Sequence, residues 1–253
     1  MMREETVFGP IHSRRLGRSL GINLLPTKGK ICNFDCIYCE CGWNRDGRGD
    51  TVLPTAAKVR ADLEDKLTEL MLEDKRIDSI TFSGDGEPTL NPEFPRIIDD
   101  TLFLRDAYCP DAKVSVLSNA TRVHVPEVFA ALCKVDNPIL KIDAPTDALV
   151  AKINQPAPGY SLERVVDALK QFDGNFILQT MFLKAPGFDS SSPEVLEGWM
   201  DIVRQLKPRE VMVYTIDRPT PQLGLEAFTV DQMRALVKPL LDEGFKIDVK
   251  GKE

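Results

Sequence analysis

The sequence contains no apolar run of membrane length, and it does not open with a charged stretch followed by an apolar segment. The first absence excludes a transmembrane helix, and the second leaves a secreted, oxidised setting without support. Repeats, low-complexity stretches and long linkers are also absent. We therefore expect one cytoplasmic domain over residues 1–253 without membrane association.

Basic residues are in the minority, with 32 Lys and Arg against 39 Asp and Glu and a formal charge of −7. This balance argues against a broad nucleic-acid surface. The first thirty residues, including a basic N-terminal segment over 1–16, are the exception, because Arg3, Arg14, Arg15, Arg18, Lys28 and Lys30 face only Glu4 and Glu5. This excess of positive charge either meets a phosphate or forms a solvated strand edge.

Only six cysteines occur, and three of them stand at C-x3-C-x2-C spacing in Cys32, Cys36 and Cys39. Three thiolates can hold three irons of a cubane cluster and leave the fourth iron open for a ligand. A structural zinc site that adds Cys41 is the alternative, although zinc sites more often show two separated C-x2-C pairs. Of the remaining cysteines, Cys133 is expected to be a buried core thiol and Cys109 to lie in a loop.

Short apolar, β-prone runs alternate with amphipathic segments, which is the pattern of βαβ units with a parallel sheet. The predicted strands are 20–25, 79–82, 114–117, 139–142, 176–181, 210–214 and 245–249. Predicted helices run from about Thr55 to Asp74 and begin near Ser161, near Ser192 and at Thr229, where Thr229 and Gln232 stand in capping-box positions. Periodicity does not distinguish a partial barrel from an open doubly wound sheet.

Polar residues follow several of these strands. The turn Gly84-Asp85-Gly86-Glu87 follows the second strand, and Ser118-Asn119 ends the third. Alternation places Lys141 and Asp143 on one face of the fourth strand, either as ligand contacts or as a structural ion pair. The candidates for contact with a substrate are Gln179, Tyr214 and Arg218, together with the loop over 152–159.

With these residues the chain resembles the radical S-adenosylmethionine (SAM) enzymes, in which an aromatic residue, here Tyr38, precedes the third cysteine. The resemblance implies a partial (βα)6 barrel with parallel strands and outer helices. It implies a [4Fe-4S] cluster on Cys32, Cys36 and Cys39, in a loop over about 30–42, whose open iron binds SAM. The residues expected to contact SAM are Tyr38, Gly84, Asp85, Gly86, Glu87, Ser118, Asn119, Lys141 and Asp143.

The implied activity is that of an oxidoreductase-like enzyme that cleaves SAM reductively and abstracts a hydrogen atom from a substrate. An electron donor such as flavodoxin or ferredoxin is implied as a partner. The opening 8–21, the cysteine loop, the turn at Gly84 and the segment 214–219 are similar to the compact group that includes the wyosine-type tRNA-modifying enzymes. A tRNA base is therefore one expected substrate, although the chain has no second cysteine trio.

Two other interpretations stay open. A glycyl-radical-enzyme activase or a peptide-modifying radical SAM enzyme would carry a similar glycine turn and would act on a protein. A non-catalytic iron-sulfur or zinc-binding module would hold the metal without cleaving SAM.

Overall fold

The computed structural model describes residues 5–13, 16–47 and 49–251. Within these residues the chain forms two compact units. The first unit lies within 1–32, 44–118 and 124–138, and the second within 33–43, 119–123 and 139–253. Among the described helices, none is both long and apolar enough to cross a bilayer.

The first unit contains a small sheet covered by helices. Its elements are β1 (Val7–Ser13), β2 (Gly17–Ile22), α1 (Ala56–Leu72), β3 (Ser79–Phe82), α2 (Phe94–Tyr108), β4 (Lys113–Ser118) and α3 (Pro126–Lys134). Strands β2, β3 and β4 are parallel neighbours, whereas β1 pairs with β2 in the antiparallel direction. All four residues of β3 are buried, and Phe82 packs edge-on against Phe94 of α2. Burial of β3 on both faces is typical of a parallel sheet.

The second unit repeats the strand–helix alternation. Its elements are β5 (Asn137–Lys141, which begins in the first unit), α4 (Asp147–Ile153), α5 (Leu162–Lys170), β6 (Ile177–Ala185), β7 (Phe188–Asp189), α6 (Pro193–Leu206), β8 (Glu210–Thr215), β9 (Glu226–Ala227), α7 (Val230–Asp242) and β10 (Ile247–Lys250). Strand β6 lies between β5 and β8, and β10 follows β8, all in parallel. The two-residue strands β7 and β9 pair antiparallel with the end of β6.

Helix α6 covers one face of β6. The Trp199 indole N–H donates to Oγ1 of Thr180 over 2.9 Å, and its ring packs edge-on against Phe182. Since successive strand residues point to opposite faces, Gln179 points away from α6. Gln179, a predicted candidate for contact with a substrate, therefore lies on the face of β6 opposite α6.

All seven predicted strands and the four predicted helices are present, with shifts of a few residues at their ends. The capping box at the start of α7 is confirmed, because Thr229 and Gln232 exchange hydrogen bonds. The burial expected for Cys133 is wrong, because this residue is exposed. On α3 the buried positions are Val128, Ala131 and Leu132, and Cys133 falls next to that face rather than on it.

Candidate functional site

The turn after β3 holds the segment that leads to Cys32. The Ile31 N–H donates to the Asp85 carbonyl over 3.2 Å, and the Glu87 N–H donates to the Ile31 carbonyl over 3.1 Å. Gly86 lies between these two bonds with a φ of +139°, which side chains other than hydrogen rarely permit. A Cβ on Gly86 would lie 1.9 Å from the Ile31 carbonyl oxygen. The glycine is therefore required for this close approach.

Asn23 supports the same turn from the end of β2. Its Oδ1 accepts hydrogen bonds from the backbone N–H groups of Leu25 and Asp85, each over 3.1 Å. A Cβ on Gly84 would lie 2.0 Å from this oxygen, so only glycine fits at position 84. The Asp85 side chain is buried beside Asn23, with the residue 1% exposed.

Glu87 is a buried carboxylate with several donors. Its Oε1 accepts from the Thr89 backbone N–H over 3.1 Å, from the Thr89 hydroxyl over 2.6 Å and from the Ser118 hydroxyl over 2.8 Å. Hydrogen bonds of this kind stabilise the ionised carboxylate. The structure thus brings Glu87 and Ser118, two of the predicted SAM contacts, together.

In the second unit, the end of α4 holds the cysteine loop by its backbone. The Asp35 N–H donates to the Asn154 carbonyl over 2.8 Å, and the Ile37 N–H donates to the Ile153 carbonyl over 3.0 Å. In return, the Ala157 N–H donates to the Asn33 carbonyl over 2.8 Å. These bonds hold loop residues 33, 35 and 37 against the end of α4 and the residues that follow it. We call this set of bonds the loop clamp.

Two tight turns follow the loop clamp. The Cys39 N–H donates to the Cys36 carbonyl over 3.1 Å, and the Gly42 N–H donates to the Cys39 carbonyl over 3.0 Å. Gly42 has a positive φ of +78°, which suits glycine. The chain therefore reverses closely around Cys36 and Cys39, both of which stay partly exposed, as does Cys32 in the first unit.

Side chains reinforce the loop clamp through a buried polar cluster. The Tyr38 hydroxyl donates to Oδ2 of Asp143 in a short hydrogen bond. Nδ2 of Asn154 lies 2.7 Å from the same oxygen, 2.9 Å from the Tyr38 hydroxyl and 3.3 Å from Sγ of Cys36. The other carboxylate oxygen of Asp143 accepts from the Met181 backbone N–H over 2.9 Å. Asp143 therefore accepts hydrogen bonds from three neutral donors.

Lys141 extends this cluster. Its Nζ donates to the Tyr214 hydroxyl and lies 3.6 Å from Oδ1 of Asp143. It also lies over the rings of Tyr38 and Tyr214, 5.2 Å and 4.9 Å from their centroids. The ion pair of Lys141 with Asp143, which the sequence offered as one alternative, is present. Tyr214 and Lys141, predicted for different roles, are thus in direct contact.

The register of the sheet places Lys141 beside Gln179 of β6. The Gln179 side chain is buried, and its Nε2 has no hydrogen-bond partner among the described residues. An unpaired buried donor is rare and costs free energy. Gln179 therefore presents an unused donor on the inner face of the second unit's sheet.

Burial and charge shift the acid–base properties of this cluster. Burial raises the pKa of the Cys36 thiol to about 11, against the opposing effect of the Lys141 charge. Burial and the Asp143 charge raise the pKa of Tyr38 well above its usual value. Burial opposes the charge of Lys141, but Asp143, Tyr214 and Cys36 together outweigh burial and raise the lysine pKa. In the metal-free chain Cys36 is thus a neutral thiol and Lys141 an ammonium group at neutral pH.

Other predicted residues lie apart from this cluster. Arg218 forms an exposed ion pair with Glu40, 2.7 Å between Nη1 and Oε2. Asn119 donates to Oδ1 of Asn33 over 2.7 Å and accepts from the Thr121 hydroxyl. Asn119 therefore contacts the cysteine loop.

The basic N-terminal segment is described only in part. Arg3, Arg14 and Arg15 lie outside the described residues. Arg18 and Lys28 are exposed, but Lys30 is buried and does not contribute to a surface patch. The expected patch is thus smaller by at least one charge.

Asn23 was not among the predicted site residues, and Asn154 was predicted only as part of the loop over 152–159, as a candidate for contact with a substrate rather than with Cys36. Both follow a secondary-structure element directly, Asn154 after α4 and Asn23 after β2. A polar residue at the end of a buried element is the signal that would have found them. Their partners, however, lie 118 and 62 residues away in the sequence, beyond any local pattern.

The donor set suits an iron-sulfur cluster better than a single ion. Within the described ranges, no group of three Cys, His, Asp or Glu side chains converges to hold one metal ion. In a cubane each of the three thiolates would bind a different iron, so the three sulfurs would surround the cluster at a greater distance from one another than the ligands of one ion. The amide of Asn154 at Cys36 is also the kind of donor that a metal-bound thiolate accepts. The residues present therefore fit a cluster.

Comparison with protein families agrees with this geometry. A sequence profile of the Radical SAM superfamily matches residues 27–183, more than half of the chain. The chain is 30% identical to a protein of Brachyspira hyodysenteriae named GTPase Obg, over 94% of this chain but 34% of that protein. It is 31% identical to a UPF0026 protein of Synechocystis, over 85% of this chain and 77% of that protein. The chain thus spans about a third of the Brachyspira relative.

Solved structures share the fold. The TM-score is 0.69 to a radical SAM methyltransferase from Sphaerobacter thermophilus, at 15% identity over 93% of this chain and 66% of that chain. It is 0.64 to TYW1 with a lysine–pyruvate adduct bound, at 14% identity over 90% of this chain and 74% of that chain. These identities establish the fold alone. The predicted α/β class, a partial barrel with parallel strands and outer helices, is confirmed.

Proposed function

Since this chain belongs to the radical SAM superfamily, we propose that Cys32, Cys36 and Cys39 hold a [4Fe-4S] cluster that cleaves SAM. When bound, the cluster supplies the electron that splits SAM into methionine and a 5′-deoxyadenosyl radical, which takes a hydrogen atom from the substrate. The observation that carries this proposal is the C-x3-C-x2-C loop, held in place by the loop clamp and by Tyr38.

The glycine turn of the first unit is proposed to bind the amino group of SAM. Its two buried carboxylates, Asp85 and Glu87, are acceptors that suit an ammonium group, and the two glycines allow the close approach of Asn23 and Ile31 that shapes the turn. Ser118 orients Glu87 by its hydrogen bond. The remaining SAM contacts proposed are Tyr38, Gly84, Gly86, Asn119, Lys141 and Asp143.

The second unit supplies the groups proposed to face the substrate. Gln179 offers an unused buried donor, and Tyr214 lies against the Lys141 ammonium. Arg218 stands on the loop after β8, where its ion pair with Glu40 ties that loop to the cysteine loop. An anionic group of a substrate that approaches this loop would replace Glu40 as the partner of the Arg218 guanidinium.

A tRNA base is the substrate proposed here. The support is the similarity of the opening 8–21, the cysteine loop and the segment 214–219 to the wyosine-type group, together with the exposed Arg18 and Lys28. The proposal also includes a cytoplasmic single-domain protein and a flavodoxin or ferredoxin as the electron donor.

The test is formation of 5′-deoxyadenosine from SAM by anaerobically reconstituted, reduced protein. We expect Cys36→Ala to abolish it and Cys133→Ala, which changes an exposed cysteine on α3, to leave it intact. Equal activity in Cys36→Ala and the wild type would overturn the cluster assignment.

The same assay addresses the substrate when unmodified bulk tRNA is added. Stimulation of 5′-deoxyadenosine formation, with the modified base detected by mass spectrometry of digested tRNA, would support a tRNA substrate. Cleavage that tRNA does not change, and no new base in the digest, would contradict it and favour a protein target.

A further inference from the structure

Asn154 occupies a fixed position beside Cys36. Its backbone N–H closes the last turn of α4 by donating to the Val150 carbonyl over 2.8 Å, and the residue is 1% exposed. Its side-chain Nδ2 lies within hydrogen-bonding distance of three acceptors, of which Sγ of Cys36, at 3.3 Å, is one. The amide is therefore directed at a predicted cluster ligand.

The orientation of the amide follows from its other two partners. Tyr38 already donates its hydroxyl proton to Asp143, so its oxygen can only accept from Asn154. The Asp143 carboxylate is acceptor-only as well. Rotating the amide by half a turn would set its carbonyl oxygen against the Asp143 carboxylate. The NH2 group consequently faces Cys36, Tyr38 and Asp143 together.

The loop clamp keeps Asn154 next to Cys36 without help from the side chain. The Asp35 N–H donates to the Asn154 carbonyl, and the Ile37 N–H donates to the Ile153 carbonyl. These backbone bonds flank Cys36 on both sides. A substitution at position 154 can therefore remove the N–H···S contact and leave the backbone of the cysteine loop in place.

We propose that Asn154 is a positioning residue that raises the reduction potential of the cluster through its N–H···S hydrogen bond to Cys36. The proposal rests on the proposed function, because it takes Cys36 as a cluster ligand. Reduction adds negative charge that is shared by the thiolate sulfurs, so a donor at Sγ stabilises the reduced state more than the oxidised state. Such outer contacts of metal ligands tune the metal they surround.

The test is an anaerobic redox titration, without SAM, monitored by electron paramagnetic resonance of the reduced cluster. The variants are Asn154→Leu, which has a similar volume and no donor, and Asn154→Ser, whose hydroxyl is too short to reach Sγ. The matched control is Tyr38→Phe, which removes a partner of Asn154 from the same cluster but keeps its amide and Cys36.

We expect both Asn154 variants to lower the equilibrium constant for reduction about threefold or more, which is ~30 mV for one electron at 59 mV per tenfold change. Tyr38→Phe should stay close to the wild type. Unchanged potentials in both Asn154 variants would overturn the inference, as would an equal fall in Tyr38→Phe, which would assign the effect to the polar cluster as a whole.

Iron and sulfide analysis separates this inference from the proposed function. Wild-type protein that retains no cluster after reconstitution would overturn the proposed function itself. Wild-type protein with a full cluster, beside Asn154 variants that retain none, would make Asn154 a residue for holding the cluster and would overturn its role in setting the potential.

Discussion

The Ile31 carbonyl oxygen stands where a side chain on Gly86 would have to begin, 1.9 Å from the ideal Cβ position. Two backbone hydrogen bonds hold these segments together, one on each side of the glycine. The turn after β3 and the residue that precedes Cys32 thus form one joint. The close contact of these two segments depends on the absence of a Cβ at Gly86.

Gly86→Ala is expected to open this joint. The positive φ alone would cost about 1–3 kcal/mol in the free energy of unfolding, and the contact with Ile31 adds to it. Urea unfolding and the iron content after reconstitution would measure both consequences. Gly244→Ala is the control, since Gly244 has a φ of +92° but open space at its Cβ position. Equal losses of stability and of iron content in the two variants would show that the contact with Ile31 contributes to neither.

Ser118→Ala is expected to weaken SAM binding as well as stability. It removes a hydrogen bond to the Glu87 carboxylate, worth about 1.5–3 kcal/mol for a charged acceptor. Ser115→Ala is the matched control on the same strand, because Ser115 is buried and bonds to Ser79 and Asn137 instead. Equilibrium binding of SAM to the reconstituted proteins should distinguish them. A fall in affinity of the same size in both would argue against a role for Glu87 in binding SAM.

Tyr38→Phe is expected to destabilise the metal-free chain by about 1.5–3 kcal/mol, because Asp143 loses one of its donors while it stays buried. Tyr160→Phe serves for comparison, since the described residues give the Tyr160 hydroxyl no hydrogen-bond partner. Denaturant unfolding followed by circular dichroism would give both values. Similar free energies of unfolding for the two variants would mean that the Tyr38–Asp143 bond contributes little.

Asp136 should make the free energy of unfolding fall at low pH. Burial opposes its charge, but the Val114 N–H and the Arg105 guanidinium outweigh burial and lower the pKa of this carboxyl below its ordinary 3.8. A lowered pKa adds stability that is present above the unfolded value and is lost as the pH falls through the folded value. Asp136→Asn should therefore be destabilising at pH 7, and the difference from the wild type should shrink below pH 3.8.

Thermal unfolding at several pH values measures this difference. Asp167→Asn, which breaks an exposed pair with Lys170 on α5, should change stability little at any pH. A difference between Asp136→Asn and the wild type that stays constant down to pH 3 would contradict the assignment.

The local pattern of residues was sufficient to predict seven of the strands and the glycine turn. The limits of β3 agree with the prediction at both ends, because an apolar β-prone run is bounded by polar residues and glycine. Strand β1 escaped prediction because Gly9 and Pro10 interrupt the alternation that marks a strand. The first predicted strand, β2, is therefore the second strand of the chain and pairs antiparallel with β1, and the cysteine loop follows β2.

Contacts between residues that are far apart in the sequence could not be predicted from local patterns. The ion pair of Lys141 with Asp143, one of two alternatives left open for these residues, spans two positions, whereas Asn154 reaches Cys36 over 118 positions. Likewise, the error at Cys133 arose because an apolar run does not say which side of a helix faces its neighbours. Such contacts depend on how the elements pack.

The loop clamp also fixes the position of Cys36 along the cysteine loop. The Asp35 and Ile37 N–H groups donate to the end of α4, and between and beyond them the Cys36 thiol and the Tyr38 hydroxyl lie 3.3 Å and 2.9 Å from the Asn154 amide. One residue inserted between Asn33 and Cys36 would place a different residue between these two backbone bonds and move the thiol away from Asn154. The loop clamp thus fixes which residue of the cysteine loop meets the end of α4.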